Sequence, residues 1–234
     1  MPKVEVCLSP QLIHLFDLKG KIVVVTDILR ATSCMTTGIA HGVIQIKPVA
    51  TLDECKELKN EGYFTAAERN GTKVEGFDIG NSPYSYMEEK FAGNKIATTT
   101  TNGTLAITKS TDADEVIIGS FLNLSTVANY LINTGKGVVI HCAGWKGNYS
   151  LEDTLFAGAL FEKLRKDFEV GDDATSSALS IYSAAKQNLL ATILGSSHAK
   201  RLEKHDIRKD IELCCTIDKY NVLPYLKNGV LIKK

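Results

Sequence analysis

The chain has 234 residues, of which 44% are hydrophobic and 23% are charged, a composition typical of a globular protein. Lys and Arg together number 27, as do Asp and Glu, so the chain has no excess of basic residues. We therefore expect no nucleic-acid partner. No apolar run approaches the roughly 18 to 20 residues that cross a bilayer, and we therefore expect no membrane partner.

The six cysteines are expected to be free thiols. They occupy positions 7, 34, 55, 142, 214 and 215, form no Cys-x-x-Cys pair and lie mostly in apolar runs. The first residues, Met-Pro-Lys-Val-Glu-Val, contain no apolar signal core. Together these features predict a reducing, cytoplasmic location.

The most hydrophobic predicted strand, Ile22 to Val25, follows another predicted strand over 4–8. Four consecutive β-branched residues favour a central parallel strand that is buried on both faces. Asp27 and Arg30 follow this strand, just before a predicted helix over 31–40. A structural ion pair between them is as good an interpretation of this turn as a functional one.

The next elements bring a second acid and a second arginine to the end of a strand. Strands are predicted over 43–49 and 63–67, and the capping box Thr51-Leu-Asp-Glu predicts a helix between them that ends near Gly62. The second strand leads into Glu68 and Arg69. A loop over 70–83 follows, in which Ser82 is expected to cap a helix that begins at Pro83.

Three further strands are predicted to lead into polar turns before helices. The strand over 95–99 precedes Thr100-Thr-Asn-Gly-Thr, whose hydroxyls and free N–H groups suit an anion. Strands over 115–118 and 137–142 precede the turns 119–123 and 143–150. Ser150 is expected to cap a long helix that carries Glu152 and Asp153 in its first turn.

The repeated order of strand, polar turn and helix predicts the fold class. It favours an α/β protein, a three-layer α/β/α sandwich with a mostly parallel central sheet. No linker interrupts the sequence, so residues 1–234 are predicted to form a single α/β domain, with the helices and strands of 172–234 packed on the same core. Ligands of such sheets bind at the carboxyl ends of the strands.

The C-terminal part is predicted to contain helices over 174–194 and 195–204, followed by apolar segments over 211–217 and 222–232. Its polar group at 196, 197, 198 and 201 is interpreted as a helix cap with a solvated face. The histidines at 14, 41, 141 and 205 form no metal-binding pair and are assigned no role.

Several known phosphate-binding patterns are absent from the sequence. It contains neither Gly-x-x-x-x-Gly-Lys-Ser/Thr nor Gly-x-Gly-x-x-Gly, and Leu29 occupies the position where a phosphatase with an aspartyl-phosphate intermediate would have a second Asp. The remaining candidates are acids and arginines beside hydroxyl-rich helix starts. Carboxylates suit Mg²⁺, and arginine suits phosphate or sulfonate oxygens.

A set of ordered motifs resembles the 2-phosphosulfolactate phosphatases. These are Asp-Ile-Leu-Arg-Ala-Thr-Ser (27–33), Ala-Glu-Arg-Asn-Gly (67–71), Gly-Phe-Asp-Ile-Gly-Asn-Ser-Pro (76–83), Thr-Thr-Asn-Gly-Thr (100–104), Gly-Ser-Phe-Leu-Asn (119–123), Cys-Ala-Gly (142–144), Leu-Glu-Asp-Thr (151–154) and Ser-Ser-His-Ala-Lys-Arg (196–201). The resemblance implies Mg²⁺-dependent hydrolysis of 2-phospho-3-sulfolactate to 3-sulfolactate and phosphate, a step in coenzyme M biosynthesis.

The resulting hypothesis assigns a role to each candidate residue. Mg²⁺ would be held by Asp27 with Glu68 or with an acid of the pair Glu152 and Asp153, while Arg30 and Arg69 would neutralise the phosphoryl oxygens beside the catalytic Asp27. The residues expected to bind the rest of the substrate are Thr32, Thr101, Asn102, Thr104, Ser120 and Asn123.

Alternatives to this hypothesis remain open at this point. Direct attack by water is preferred, and a phosphoenzyme on Asp27 or on a threonine of 98–104 is the other route. The protein could instead be a phosphoryl transferase or isomerase acting on another small anionic organophosphate, or a non-catalytic anion-binding protein. A homodimer is compatible with all of these.

Overall fold

The structure is a computed structural model that describes residues 1–202 and 207–234. The predicted end of the helix over 195–204 and His205 therefore lie partly or wholly outside the described residues. Within the described part, eleven strands form one sheet. The strands are β1 (Lys3–Cys7), β2 (Ile22–Thr26), β3 (Gln45–Pro48), β4 (Tyr63–Arg69), β5 (Thr72–Lys73), β6 (Lys95–Thr99), β7 (Glu115–Gly119), β8 (Val138–Cys142), β9 (Glu169–Val170), β10 (Pro224–Lys227) and β11 (Val230–Lys233).

The helices connect most of these strands. Those of the described residues are α1 (Ala31–Ala40), α2 (Leu52–Glu57), α3 (Gly103–Thr108), α4 (Leu124–Thr134), α5 (Leu151–Leu164), α6 (Asp173–Ala185), α7 (Leu189–Leu194), α8 (Ser197–Leu202) and α9 (Arg208–Cys214). Across the described ranges, no helix combines the length and the apolar character that crossing a membrane requires. The predicted helix over 174–194 is divided, because a 3₁₀ turn at Lys186–Asn188 separates α6 from α7.

The sheet confirms the predicted α/β class and its mostly parallel character. Its strand order is β5-β4-β6-β3-β11-β10-β7-β2-β8-β1-β9. Strand β2 pairs in parallel with β7 and β8, and β6 pairs in parallel with β3 and β4. The C-terminal hairpin of β10 and β11 is antiparallel and lies between these two parallel blocks. The last residues of the chain are thus in the middle of the sheet.

Two apolar layers cover the two faces of the sheet. Alternate residues of β2 separate into these layers: Ile22 and Val24 pack with helices α4 to α6, whereas Val23 and Val25 pack with α1 and α3. All four side chains are fully buried. The continuous apolar run of β2 therefore results from burial on both faces, as expected for a central strand of a three-layer sandwich.

The hairpin reverses the direction of one block relative to the other. β7 pairs antiparallel with β10, β10 with β11, and β11 with β3, so β3, β6 and β4 run opposite to β7 and β2. Residues that follow β2, β4, β6 and β8 nevertheless line one cavity. A sheet twist of about 20–25° per strand pair, over the five steps from β6 to β2, would rotate the two blocks relative to each other by roughly 100° or more.

Local sequence patterns agree with most of the observed element ends. The capping box at Thr51 is present, since its hydroxyl accepts from the N–H of Glu54 and the Glu54 carboxylate accepts from the N–H of Thr51. The predicted cap at Ser82 is wrong. A 3₁₀ helix does begin at Pro83, but the Ser82 hydroxyl donates to the distant Asp210 carboxylate at 2.9 Å.

Candidate active site

A cavity of about 360 Å³ opens where the loops after β2, β4, β6 and β8 meet helix α8. It gathers residues that are more than 170 positions apart in the chain. The lining residues are Asp27, Leu29, Arg30, Glu68, Asn70, Gly71, Asn81, Thr100, Thr101, Asn102, Trp145, Lys146, His198, Arg201 and Leu202.

Asp27 is placed at the cavity by the end of β2 and the start of α1. The Thr32 hydroxyl accepts from the Asp27 N–H at 3.0 Å and donates to the Asp27 carbonyl at 2.9 Å, which closes the turn. Asp27 Oδ1 accepts from the Ala31 N–H at 3.2 Å. Burial raises the pKa of Asp27 from 3.8 to about 6, with His198 opposing the rise and the charges of Glu68 and Glu152 adding to it.

Gly103 permits a close approach of α3 to this turn. A Cβ atom at this position would lie 2.6 Å from the Ala31 Cβ and 2.9 Å from Asp27 Oδ2, distances that are too short for any side chain. The first turn of α3 can therefore pack against the first turn of α1 only because residue 103 is glycine. This contact brings Thr101 and Asn102 to the same cavity as Asp27.

Glu68 is the second carboxylate of the cavity wall. It lies inside β4, which extends to Arg69 rather than ending at Ala67 as predicted. Glu68 Oε1 accepts from the Gly71 N–H at 2.5 Å, and the side chain is nearly buried. Asp27 and Glu68 thus form the acidic wall of the cavity, and among the described residues each has one carboxylate oxygen without a hydrogen-bond partner.

Glu152 lies behind the cavity and is held by His198. Its Oε1 is 2.5 Å from His198 Nδ1, and only 1% of the Glu152 side chain is exposed. Burial raises the pKa of Glu152, but the hydrogen bond and charge of His198 outweigh this effect, so the pKa is lower than usual. Glu152 Oε2 is buried without a partner in the described part of the chain.

Asp153 connects three elements and does not line the cavity. Its Oδ1 accepts from the Ile28 N–H at 2.9 Å and its Oδ2 from the Gly144 N–H at 3.0 Å. Burial and the charges of Glu152 and Asp27 raise the pKa of Asp153, while these two hydrogen bonds oppose the rise. The geometry gives Asp153 the role of joining the turns after β2 and β8 to the start of α5.

Arg30 lines the cavity but is already paired. Its Nη1 forms a buried ion pair with Asp210, and its Nη2 donates to the Gly71 carbonyl at 3.1 Å. The structural ion pair that the sequence allowed does exist, but its acid is Asp210 of α9 rather than Asp27. Because Asp210 neutralises its charge, Arg30 offers the cavity hydrogen bonds rather than a net positive charge.

Arg69 does not line the cavity, in contrast to its predicted catalytic role. Its Nη1 donates to the Glu68 carbonyl at 2.7 Å, and its Nη2 donates to the Thr99 hydroxyl at 3.1 Å. Successive residues of a strand point to opposite faces, so the position next to Glu68 directs Arg69 away. Its guanidinium joins β4 to β6 instead.

The predicted substrate-binding residues divide into two groups. Thr101 and Asn102 line the cavity. The other four, Thr32, Thr104, Ser120 and Asn123, are buried and do not line it.

Hydrogen bonds within the protein account for the buried group. Thr104 exchanges hydrogen bonds with Thr100, and the Asn123 side chain accepts from the Ser120 N–H and donates to the Val222 carbonyl. A capping box thus explains Ser120 and Asn123, and hydrogen bonds to nearby backbone carbonyls explain the Thr32 and Thr104 hydroxyls. None of the four residues lines the cavity.

The cavity also contains residues that the sequence interpretation missed. The Ser196 hydroxyl does cap the segment at the Ala199 N–H, as predicted, but His198 and Arg201 line the cavity, which the predicted solvated face did not include. Trp145 and Lys146 line it as well, from the turn after β8. The signal available in the sequence was the motif at 196–201, but a short polar segment does not reveal which strand ends it will contact.

The carboxylates that line the cavity are the groups that could hold Mg²⁺. In residues 1–202 and 207–234, no three His, Cys, Asp or Glu side chains are grouped as a metal site. Mg²⁺ commonly binds one or two carboxylates and keeps several waters, so Asp27 and Glu68 form a sufficient donor set. The buried Glu152 Oε2, which has no described partner, adds negative charge behind them. A cation here would relieve the repulsion between these carboxylates.

Comparisons with known proteins agree with the motifs in this cavity. The family model described as 2-phosphosulpholactate phosphatase matches residues 7–229. A protein of Caldanaerobacter subterraneus subsp. tengcongensis named "Probable 2-phosphosulfolactate phosphatase" is 44% identical over 92% of this chain and 91% of its own length. Proteins with the same printed name from Thermotoga maritima and Clostridium acetobutylicum are 43% and 35% identical over 90% and 98% of this chain, and over 91% and 100% of their own lengths. The chain belongs to the 2-phosphosulfolactate phosphatase family.

Proposed function

We propose that the protein is a Mg²⁺-dependent phosphomonoesterase that hydrolyses 2-phospho-3-sulfolactate to 3-sulfolactate and phosphate. The observation that carries the proposal is a single cavity lined by two carboxylates, Asp27 and Glu68, and by two cations, Lys146 and Arg201. The acidic wall suits a metal ion and a water molecule, and the cations suit a substrate with several negative charges. Membership of the family supports the choice of substrate.

The residues of the acidic wall would hold the ion and orient the attacking water. Asp27 has a pKa of about 6, so it is mostly ionised at pH 7 and can accept a hydrogen bond or a proton from water at Oδ2. Mg²⁺, held by Asp27 and Glu68, would supply positive charge to the phosphoryl oxygens. Thr101 and Asn102 would hold the phosphoryl group against this wall.

His198 would provide the proton that the leaving oxygen needs. Its Nδ1 is occupied by Glu152, which leaves Nε2 as the ring atom available to the cavity. In the proposed reaction, water forms a new P–O bond while the bond between phosphorus and the C2 oxygen of the substrate breaks. The C2 oxygen then leaves as a hydroxyl group, with its proton from His198.

Phosphate release from the purified protein tests this proposal. We expect turnover of 2-phospho-3-sulfolactate with Mg²⁺ and its loss after exhaustive chelation, with recovery when Mg²⁺ is returned. Glu68→Gln should reduce turnover by roughly 100-fold, whereas Glu75→Gln, an exposed control on the neighbouring loop, should not. Full activity in EDTA would contradict the role of the metal.

The same assay separates the alternatives. An added acceptor alcohol that becomes phosphorylated would indicate a phosphoryl transferase. Substrate binding that persists in EDTA without any turnover would indicate an anion-binding protein. A cytoplasmic location and a role in coenzyme M biosynthesis belong to the proposal, and the six free cysteines are compatible with a reducing compartment.

A further inference from the structure

One side of the cavity is formed by an aromatic ring that two cations share. The Arg201 guanidinium carbon lies 4.0 Å from the centre of the Trp145 ring, and Lys146 Nζ lies 5.0 Å from it. All three residues line the cavity. We call Trp145, Lys146 and Arg201 the cationic wall.

The backbone of a tight turn holds Lys146 in this place. Trp145 and Asn148 exchange two backbone hydrogen bonds of 3.0 Å, and the two residues between them, Lys146 and Gly147, have φ angles of +48° and +83°. Positive φ at both positions is typical of a type I′ turn. Lysine is uncommon there, and the Lys146 N–H is also anchored to Asn102 Oδ1 at 2.9 Å.

The charge of this wall is not neutralised by the described part of the protein. In residues 1–202 and 207–234, neither Lys146 nor Arg201 forms a salt bridge, and the polar contact of Lys146 Nζ is Asn70 Oδ1 at 3.4 Å. Arg30 differs, because Asp210 neutralises it. Two like charges on one ring repel each other, and an anion bound between them would attract both and offset that repulsion.

The chemistry of the wall indicates the anion that it suits. If the phosphoryl group lies against Asp27 and Glu68, the rest of the substrate contacts other residues of the same cavity, and its lining includes Lys146 and Arg201. A sulfonate is fully ionised at neutral pH and presents three oxygens. The arginine fork can donate two parallel hydrogen bonds to such a group, and lysine adds a compact positive charge.

We infer that Arg201 and Lys146, held on the Trp145 ring, bind the sulfonate of the substrate and determine its specificity. This inference rests on the proposed function, because it takes the position of the phosphoryl group from it. Trp145 acts as a positioning residue, since its ring fixes both cations without touching the reacting atoms. The wall therefore distinguishes a sulfonated phosphomonoester from one that lacks the sulfonate.

Two substrates that differ only in the sulfonate provide the kinetic test. Arg201→Met removes the charge and keeps the length of the side chain. This substitution should lower kcat/KM for 2-phospho-3-sulfolactate by ~10- to 100-fold, mainly by raising KM. The value of kcat/KM for 2-phospholactate should stay nearly unchanged. Lys146→Gln should act in the same direction. Lys200→Met is the matched control, because Lys200 is exposed on the same helix and does not line the cavity.

Direct binding of 3-sulfolactate, measured by calorimetry, gives a second result that does not need turnover. The wild-type protein should bind 3-sulfolactate more tightly than lactate, and Arg201→Met should remove this preference. Arg201→Lys should restore part of it, since the charge returns without the fork.

The outcomes decide the inference separately from the proposed function. An equal loss on both phosphorylated substrates, or no loss on either, would overturn the inference while the phosphatase activity stands. If neither substrate is hydrolysed, the proposed function fails, and 3-sulfolactate binding alone decides the role of the wall. A wild-type protein without a preference for 3-sulfolactate over lactate would also overturn it.

Discussion

Replacing Asp27 by Asn should make the metal-free protein more stable. The carboxyl has its pKa raised from 3.8 to about 6, chiefly by burial. Its contribution to stability is therefore fully present below pH 3.8 and is lost as the pH rises through about 6. At 1.36 kcal/mol per pKa unit, the shift from 3.8 to about 6 means that burying the ionised carboxyl costs about 3 kcal/mol of stability at neutral pH. Asparagine keeps an oxygen that can accept from the Ala31 N–H and has no charge to bury.

Unfolding by urea at two pH values measures this effect. At pH 7.5 in EDTA, we expect the free energy of unfolding of Asp27→Asn to exceed that of the wild type by up to ~3 kcal/mol. This corresponds to a rise in Tm of ~6–12 °C for a chain of this size. At pH 3.5 the gain should disappear, because the wild-type carboxyl is then largely protonated in both states. Phosphate release should nevertheless fall by ~100-fold or more.

Two results would refute this reasoning. If the variant is less stable than the wild type at pH 7.5 without metal, the buried charge is not a net cost and its surroundings stabilise it. If the folded variant keeps wild-type turnover, Asp27 has no chemical role. Asp112→Asn is a suitable control, since Asp112 is exposed and should show neither effect.

The remaining predictions concern the neighbours of the site. Arg69→Lys should keep kcat/KM within about threefold of the wild type, because Arg69 does not line the cavity; a loss of tenfold or more in steady-state assays would contradict the structure. Gly103→Ala should cost about 1–3 kcal/mol in urea unfolding and lower turnover by ~100-fold, since its Cβ would overlap Asp27 Oδ2. His198→Ala should cost about 3 kcal/mol or more at pH 7, because it leaves Glu152 buried and unpaired. Because the pKa of Glu152 is lowered in the folded protein, its carboxylate contributes to stability above pH 4.5, and this contribution is lost as the pH falls. Urea unfolding at pH 3.5 should therefore show a smaller loss of stability in His198→Ala than at pH 7. An equal loss at both pH values would count against a stabilising pair of Glu152 and His198.

Local patterns in the sequence determined the elements and much of the acidic wall. The β-branched run before Asp27 favoured a buried strand, and the Thr51 capping box set the start of α2 because both of its hydrogen bonds lie within four residues. Turns that follow strands are short, so Asp27 and Asn102 could be placed at strand ends from the sequence alone. These interactions depend on near neighbours, which the sequence displays directly.

Only the tertiary structure decided which side chains meet. Arg30 pairs with Asp210, 180 positions away, and Glu152 binds His198, 46 positions away. The C-terminal hairpin between the two parallel blocks reverses one of them, yet residues that follow strands of both blocks line one cavity. Arg69 and Glu68 are adjacent in sequence, yet strand geometry points them to opposite faces. Long-range packing makes these choices, because a local pattern identifies a strand or helix but not its neighbour in space.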